Sequence, residues 1–208
     1  NHFDENNPSK NRYVNKANVR FYHENSSTLV TLFSQNEFKL TKLHEEVWIE
    51  KSKHYGPDVY EAGESVSWRI QIHGSGNGGG LAEDKEYDDL CVIDLLPEGF
   101  DYEWEKMEVA YGAYECIEGA AITDDNGNIE RNPNYRPEVI ENYKGTGRTA
   151  LIFKINAEKA REEIIKQHWK HVDFYIYLKI PETILPGDYT NEVYLVSKDL
   201  DEPVIRDK

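Results

Sequence analysis

The sequence predicts an all-β protein, a sandwich of antiparallel strands with Greek-key connections and one short inserted helix. Most segments of the chain alternate polar and apolar residues with a period of two, which is the pattern of strands that bury one face. These segments are rich in Val, Ile, Thr, Tyr and Phe, residue types that pack well on a pleated surface. Turn-forming residues separate the segments, as they do in sandwiches.

The predicted strands follow the alternating segments in chain order. They cover residues 13–22, 28–33, 36–42, 46–51, 65–73, 88–95, 100–105, 108–117, 149–155, 171–180 and 189–197. A helix is predicted over residues 157–169, because Asn156 can cap its N-terminus and apolar residues recur along one of its faces. Residues 125–128, with the sequence Asp-Asn-Gly-Asn, predict the tip of a hairpin.

Composition and charge exclude several classes of protein. The 208 residues include 24 Lys and Arg against 39 Asp and Glu, which gives a formal charge of −15. We expect neither nucleic acid nor membrane as a partner, because both are polyanionic and no apolar run approaches the ~18 residues of a membrane span. Two cysteines, Cys91 and Cys116, cannot build a disulfide framework or a Cys-based zinc site, and whether they are bonded to each other stays open. We expect no metal and no cofactor.

Three polar residues fall on apolar strand faces. Counting alternate positions, Lys51 shares a face with two aliphatic residues of its strand, and Asp94 and Asn191 do the same in theirs. A buried charge without a partner costs several kcal/mol, so we expect the three side chains to meet in the core. The competing interpretation is that the strand register is misjudged and Lys51 is solvated at a strand end.

These three residue types together suit one reaction. A desolvated lysine loses its proton more easily and becomes a nucleophile, whereas a buried aspartic acid tends to stay protonated. Lys51 can then attack the side-chain carboxamide of Asn191, while Asp94 polarises the carbonyl and passes protons to the leaving ammonia. The product is an intramolecular isopeptide bond.

Four segments carry a resemblance to a known family. They are a strand that ends at Lys51, a Gly-Glu-x-Val-x-Trp strand that starts at Gly63, an Asp-x-Leu-Pro-x-Gly-Phe corner that starts at Asp94, and a Gly-x-Tyr-x-Asn segment that ends at Asn191. In order and spacing they resemble the isopeptide-forming, immunoglobulin-like repeat domains of Gram-positive surface adhesins and pilins.

The resemblance implies a structural role. By it, Lys51 and Asn191 are the cross-linked residues, and Asp94 is the catalytic residue of isopeptide formation. The fold is expected to be an immunoglobulin-like sandwich in a cell-surface adhesin, pilus or other fibre. Such a module is extracellular and attached to the cell wall, and it is no enzyme beyond its single self-cross-linking turnover.

The chain divides by the same resemblance near residue 43. Residues 1–43 form an N-terminal β-hairpin that resembles the tail of a preceding repeat, and residues 44–208 form the sandwich. Two interpretations of the hairpin stay open: an arbitrary boundary between repeats, or strands donated to a neighbouring repeat or subunit, or to this domain. Asn15 also stands in a Tyr-x-Asn motif and is therefore a rival to Asn191.

An alternative function is ligand binding. The aromatic-rich residues 100–145 include Trp104, Tyr111 and Tyr114, whose rings are able to stack on a host glycan or pack against a matrix protein. Cross-strand packing is the competing explanation for aromatic residues in such numbers. A hydrolytic enzyme is disfavoured, because no paired carboxylates, catalytic triad or metal-ligand spacing occurs in the sequence.

Overall fold

A computed structural model of the chain describes residues 12–22, 29–39, 47–56, 59–74, 81, 87–166, 171–185, 187, 189–197 and 204–207. The first eleven residues of the predicted N-terminal hairpin and the last three of the predicted helix lie outside these ranges.

The described part of the chain contains fifteen strands and one α-helix. The strands are β1 (Arg12–Tyr22), β2 (Leu29–Lys39), β3 (Val47–Lys53), β4 (Val59–Tyr60), β5 (Ser65–Gly74), β6 (Cys91–Leu95), β7 (Asp101–Tyr102), β8 (Glu108–Val109), β9 (Ala121–Thr123), β10 (Ile129–Arg131), β11 (Glu138–Ile140), β12 (Ala150–Lys154), β13 (His171–Lys179), β14 (Glu192–Val196) and β15 (Val204–Asp207). The helix, α1, spans Ala157–Lys166, and 3₁₀ turns span Trp104–Lys106, Ala110–Gly112, Tyr114–Cys116 and Tyr143–Gly145.

The strands form two main sheets, so the predicted all-β sandwich with one short helix is confirmed. The first sheet has the order β11-β12-β6-β14-β15-β2-β1-β4, in which only the β1–β4 pair is parallel. The second has the order β3-β5-β13-β7, with β8 also pairing with β13. The β9–β10 hairpin stands apart, and its connection holds the turn predicted at residues 125–128.

Alternation along the strands places the core between the two sheets. In β5, Val66, Trp68, Ile70 and Ile72 are at most 1% exposed, and their register partners in β13 are buried as well. Apolar side chains of β6, β12 and β14 meet them from the other sheet in one core cluster. Side chains on the inner face of either sheet are therefore removed from water.

The predicted strands over residues 100–105 and 108–117 were too long. Only β7 and β8 form there, and 3₁₀ turns take up much of the remainder. Val109 pairs with Phe174, but the next turn carries Tyr111 and Gly112 at φ angles of +56° and +72°. Left-handed backbone of this kind cannot continue an extended ladder, so the strand ends.

The N-terminal hairpin joins the first sheet. β1 and β2 pair antiparallel over their whole length, and Asn36 and Glu37 of β2 pair with Asp207 and Arg206 of β15. β15, which the sequence did not predict, links the hairpin to β14. The boundary at residue 43 stays a prediction.

Helix α1 begins where the sequence predicts. The backbone N–H of Lys159 donates to Oδ1 of Asn156 at 3.0 Å, and Ala160 and Ile164 are buried against the sandwich.

No helix in the described ranges is long and apolar enough to cross a membrane. Cys91 and Cys116 are free thiols, and burial raises the pKa of Cys116 to about 12.

Candidate cross-linking site

Lys51 lies on the inner face of β3, as the alternation of its strand predicts. It pairs in register with Ile70 of β5, and the whole residue is 1% exposed. Its Nζ atom lies 5.4 Å from the centroid of the Trp68 ring. A lysine enclosed in this way is held close to the centre of the sandwich and loses most of its hydration.

Asp94 lies opposite, in the other sheet. It belongs to β6 between β12 and β14, where its register partners are the buried residues Leu151 and Val193. Lys51 Nζ donates a hydrogen bond to Asp94 Oδ1, and both side chains are completely inaccessible to water. This contact spans the sandwich, because β3 and β6 belong to different sheets.

Burial sets the protonation state of Asp94. Desolvation raises the pKa of this carboxyl group, while the charges of Lys51 and Arg148 act in the opposite direction. The net direction is upward, which favours the protonated acid. The pair therefore suits a neutral amine next to a carboxylic acid, since a neutral pair avoids burying two charges.

Asn191 stands directly before β14 on the same inner face as Val193. Because Val193 is paired with Asp94, Asn191 occupies the diagonal position beside Asp94 on the sheet. β3, which bears Lys51, packs across the sandwich against β14, the strand that Asn191 directly precedes. The structure thus brings Lys51, Asp94 and Asn191 to one region of the core.

The carboxamide of Asn191 is buried, and its polar atoms are unsatisfied within the described part of the chain. The residue is 1% exposed, and neither Oδ1 nor Nδ2 has a hydrogen-bond partner among the described residues. Asp94 Oδ2 lacks one in the same part of the chain. An unsatisfied buried polar group costs about 1–3 kcal/mol, so two such groups together require an explanation.

Arg148 ties together the backbone around this cluster. Its Nη2 atom donates to the carbonyl oxygens of Leu95 at 2.5 Å and Thr190 at 2.6 Å, and its Nε atom donates to Leu96 O at 2.8 Å. Its Nη1 atom lies 3.5 Å from Glu192 Oε1. One guanidinium group therefore joins the end of β6 to the residue before Asn191. Sequence reasoning missed Arg148, because an arginine that binds backbone carbonyls leaves no motif.

The corner after Asp94 depends on a glycine. Phe100 N donates to Pro97 O across the turn, and Gly99 has a φ of +83°. A residue with a side chain is strained at that angle, so the glycine of the Asp-x-Leu-Pro-x-Gly-Phe corner has a physical cause. The turn directs the chain away from β6 directly after Asp94 and Leu95.

The three aromatic residues predicted for ligand binding have different surroundings. Tyr111 is 61% exposed. The guanidinium group of Arg136 covers the ring of Trp104, and Tyr114 is partly buried against the core. Of the three, Tyr111 is the most exposed to solvent. In the described ranges, no group of three or more His, Cys, Asp or Glu side chains is arranged to hold a metal ion.

Comparisons with known proteins give little further information. No protein-family model and no curated protein matches the chain. Among solved structures, the chain is similar to the C-terminal domain of the Streptococcus pyogenes antigen I/II-family protein AspA, with a TM-score of 0.36 and 16% sequence identity. The similarity covers 92% of this chain and 53% of that structure, so this chain spans about half of its length.

Proposed function

We propose that the chain is a structural module of a bacterial cell-surface adhesin or fibre, locked by an intramolecular isopeptide bond between Lys51 and Asn191. The observation that carries the proposal is the buried Lys51–Asp94 pair and, beside it, the Asn191 carboxamide, which has no hydrogen-bond partner among the described residues. The order of motifs that resembles surface adhesin repeats supports the cell-surface setting.

The proposed reaction occurs once and needs no cofactor. The neutral Nζ of Lys51 attacks Cγ of Asn191, while protonated Asp94 donates a hydrogen bond to Oδ1 of the carboxamide. Asp94 then relays a proton from Nζ to Nδ2, the Cγ–Nδ2 bond breaks and ammonia leaves. One amide has replaced another, and Asp94 ends protonated as it began. The chain turns over no external substrate in this scheme.

The bond would join the two sheets covalently. Lys51 lies in β3 of the second sheet and Asn191 adjoins β14 of the first, so an amide between them crosses the core. Tension along the chain would load this bond once the flanking strands were pulled apart, which limits how far the sandwich extends. Such a restraint suits a stalk that works under shear, and a net charge of −15 keeps its surface solvated.

Intact-mass spectrometry tests the proposal. We expect the purified chain to weigh about 17 Da less than its sequence mass, since the reaction expels one NH₃. Protease digestion should release one branched peptide that joins the Lys51 segment to the Asn191 segment. A mass equal to the unmodified sequence would overturn the proposal. A branched peptide that contains Asn15 would instead show that the N-terminal hairpin completes the site.

A further inference from the structure

A pocket lies on the outer face of the second sheet, on the opposite side from the cross-linking site. Its volume is about 500 Å³, within the range of small-ligand sites. It is surrounded by the end of β3, the outward residues of β5 and β13, and the 3₁₀ turn Ala110–Gly112. Neither the cross-link nor the fold requires this pocket.

Aromatic rings form the wall of the pocket. The ring of His54 lies between those of Tyr55 and Tyr175, with centroid distances of 3.9 and 4.0 Å. Tyr55 is 72% exposed, and Tyr111 reaches the pocket from the 3₁₀ turn. Tyr111 holds a φ of +56°, a conformation that costs a non-glycine residue energy and is enriched at binding sites. Exposed rings held in this way offer flat faces to a ligand.

The floor of the pocket is an ion pair between the buried Asp173 and the partly exposed Arg69. Asp173 is 4% exposed and its Oδ2 accepts hydrogen bonds from Nε and Nη2 of Arg69 at 3.1 and 2.5 Å. The Arg69 side chain is 32% exposed, so part of its guanidinium group faces solvent. Asp173 Oδ1 has no hydrogen bond in the described ranges, although His171 Nε2 lies 3.4 Å away. Donors and acceptors thus remain available beside the rings.

The charges at the pocket are an internally neutral ion pair and Lys53, whose Nζ atom lies 5.8 Å from the centroid of the Tyr60 ring. Arg69 and Asp173 neutralise each other, and burial lowers the pKa of His54, which favours its uncharged ring at neutral pH. The surrounding chain is strongly acidic and repels anions. A neutral ligand is therefore favoured over an acidic one.

We propose that this pocket binds a neutral pyranose unit of a glycan. The C–H face of a sugar ring stacks on an aromatic face, and a paired guanidinium and carboxylate bind adjacent hydroxyl groups as donor and acceptor. The Tyr111 and Tyr55 rings supply the first contact, and Arg69 supplies the second. This activity would add ligand recognition to a structural module and does not depend on the cross-link.

A glycan array that carries neutral, sialylated and sulfated oligosaccharides tests the site with the full chain. We expect binding to neutral oligosaccharides, and a titration with the best of them should show at least about tenfold weaker binding for Tyr111→Ala and for Arg69→Lys. Trp104→Ala is the matched control and should bind as the unmodified chain does. The proposal is overturned if the chain binds none of the neutral oligosaccharides on the array. It is also overturned if Tyr111→Ala leaves the affinity unchanged, or if Trp104→Ala abolishes binding instead.

A second inference concerns Arg148 and rests on the proposed function. We infer that Arg148 is a positioning residue for the cross-link, since it holds the carbonyl oxygens of Leu95 and Thr190 on one nitrogen atom. Each of these residues adjoins a member of the site, Asp94 in one case and Asn191 in the other. By holding these two backbone segments, Arg148 sets how the Asp94 carboxyl group and the Asn191 carboxamide are placed relative to each other. The rate of an intramolecular reaction depends steeply on such placement.

Time-resolved intact mass separates positioning from simple stability. In chains made by cell-free synthesis and sampled from the moment of synthesis, Arg148→Ala should lose ammonia at least about tenfold more slowly than the unmodified chain. Arg148→Lys should be intermediate, because lysine keeps the positive charge but not the several N–H donors of the planar guanidinium group. Asn156→Ala, which removes only the cap of α1, should react at the unmodified rate. Equal rates for Arg148→Ala and the unmodified chain would overturn this inference alone. Absence of ammonia loss in the unmodified chain would overturn the proposed function instead.

Discussion

Asn191→Ala is expected to lower the unfolding temperature of the chain by roughly 10–20 °C. The proposed bond closes a loop of about 140 residues, and a covalent cross-link over such a loop is worth on the order of 5 kcal/mol by its effect on the unfolded chain. For a chain of this size, each kcal/mol corresponds to about 2–4 °C. Differential scanning calorimetry measures the difference directly, and intact mass shows whether the bond is absent.

Asn191→Ala isolates the effect of the bond better than changes at the other two residues. The Lys51–Asp94 pair stays in place. The carboxamide that is removed makes no hydrogen bond to any residue that the structure describes, so the folded state loses little besides the cross-link. Asn156→Ala is the control, because it loses a helix cap of about 1 kcal/mol and keeps the bond. A shift for Asn191→Ala no larger than for Asn156→Ala would contradict the expected effect.

The inward orientation of the three polar residues could be predicted from the sequence, because successive side chains of a strand point to opposite faces of the sheet. Lys51, Asp94 and Asn191 each interrupt an apolar row, and in the structure all three are buried within 1% exposure. The hairpin tip at residues 125–128 and the start of α1 were also predictable, since turn and cap chemistry is local.

Features set by long-range contacts were not predictable in this way. β15 is four residues long, and besides the nearby β14 it pairs with β2, a strand far away in the sequence. The ring of Trp104 looked available for stacking, but Arg136 covers it from 32 positions along the chain. The pocket floor joins Arg69 and Asp173 from two strands, and no spacing in the sequence relates them.

Asp94→Asn is expected to abolish the cross-link while preserving the fold. The amide has the shape of the carboxyl group and still occupies its place beside Lys51, yet it cannot relay a proton from Nζ to the leaving nitrogen. The purified variant should therefore retain the ammonia, which leaves it about 17 Da heavier than a cross-linked counterpart. Asp173→Asn is the matched control, since it alters another buried aspartate outside the site and should cross-link fully. Complete cross-linking of Asp94→Asn would remove Asp94 from the reaction and leave burial of Lys51 beside Asn191 as its sole driving feature.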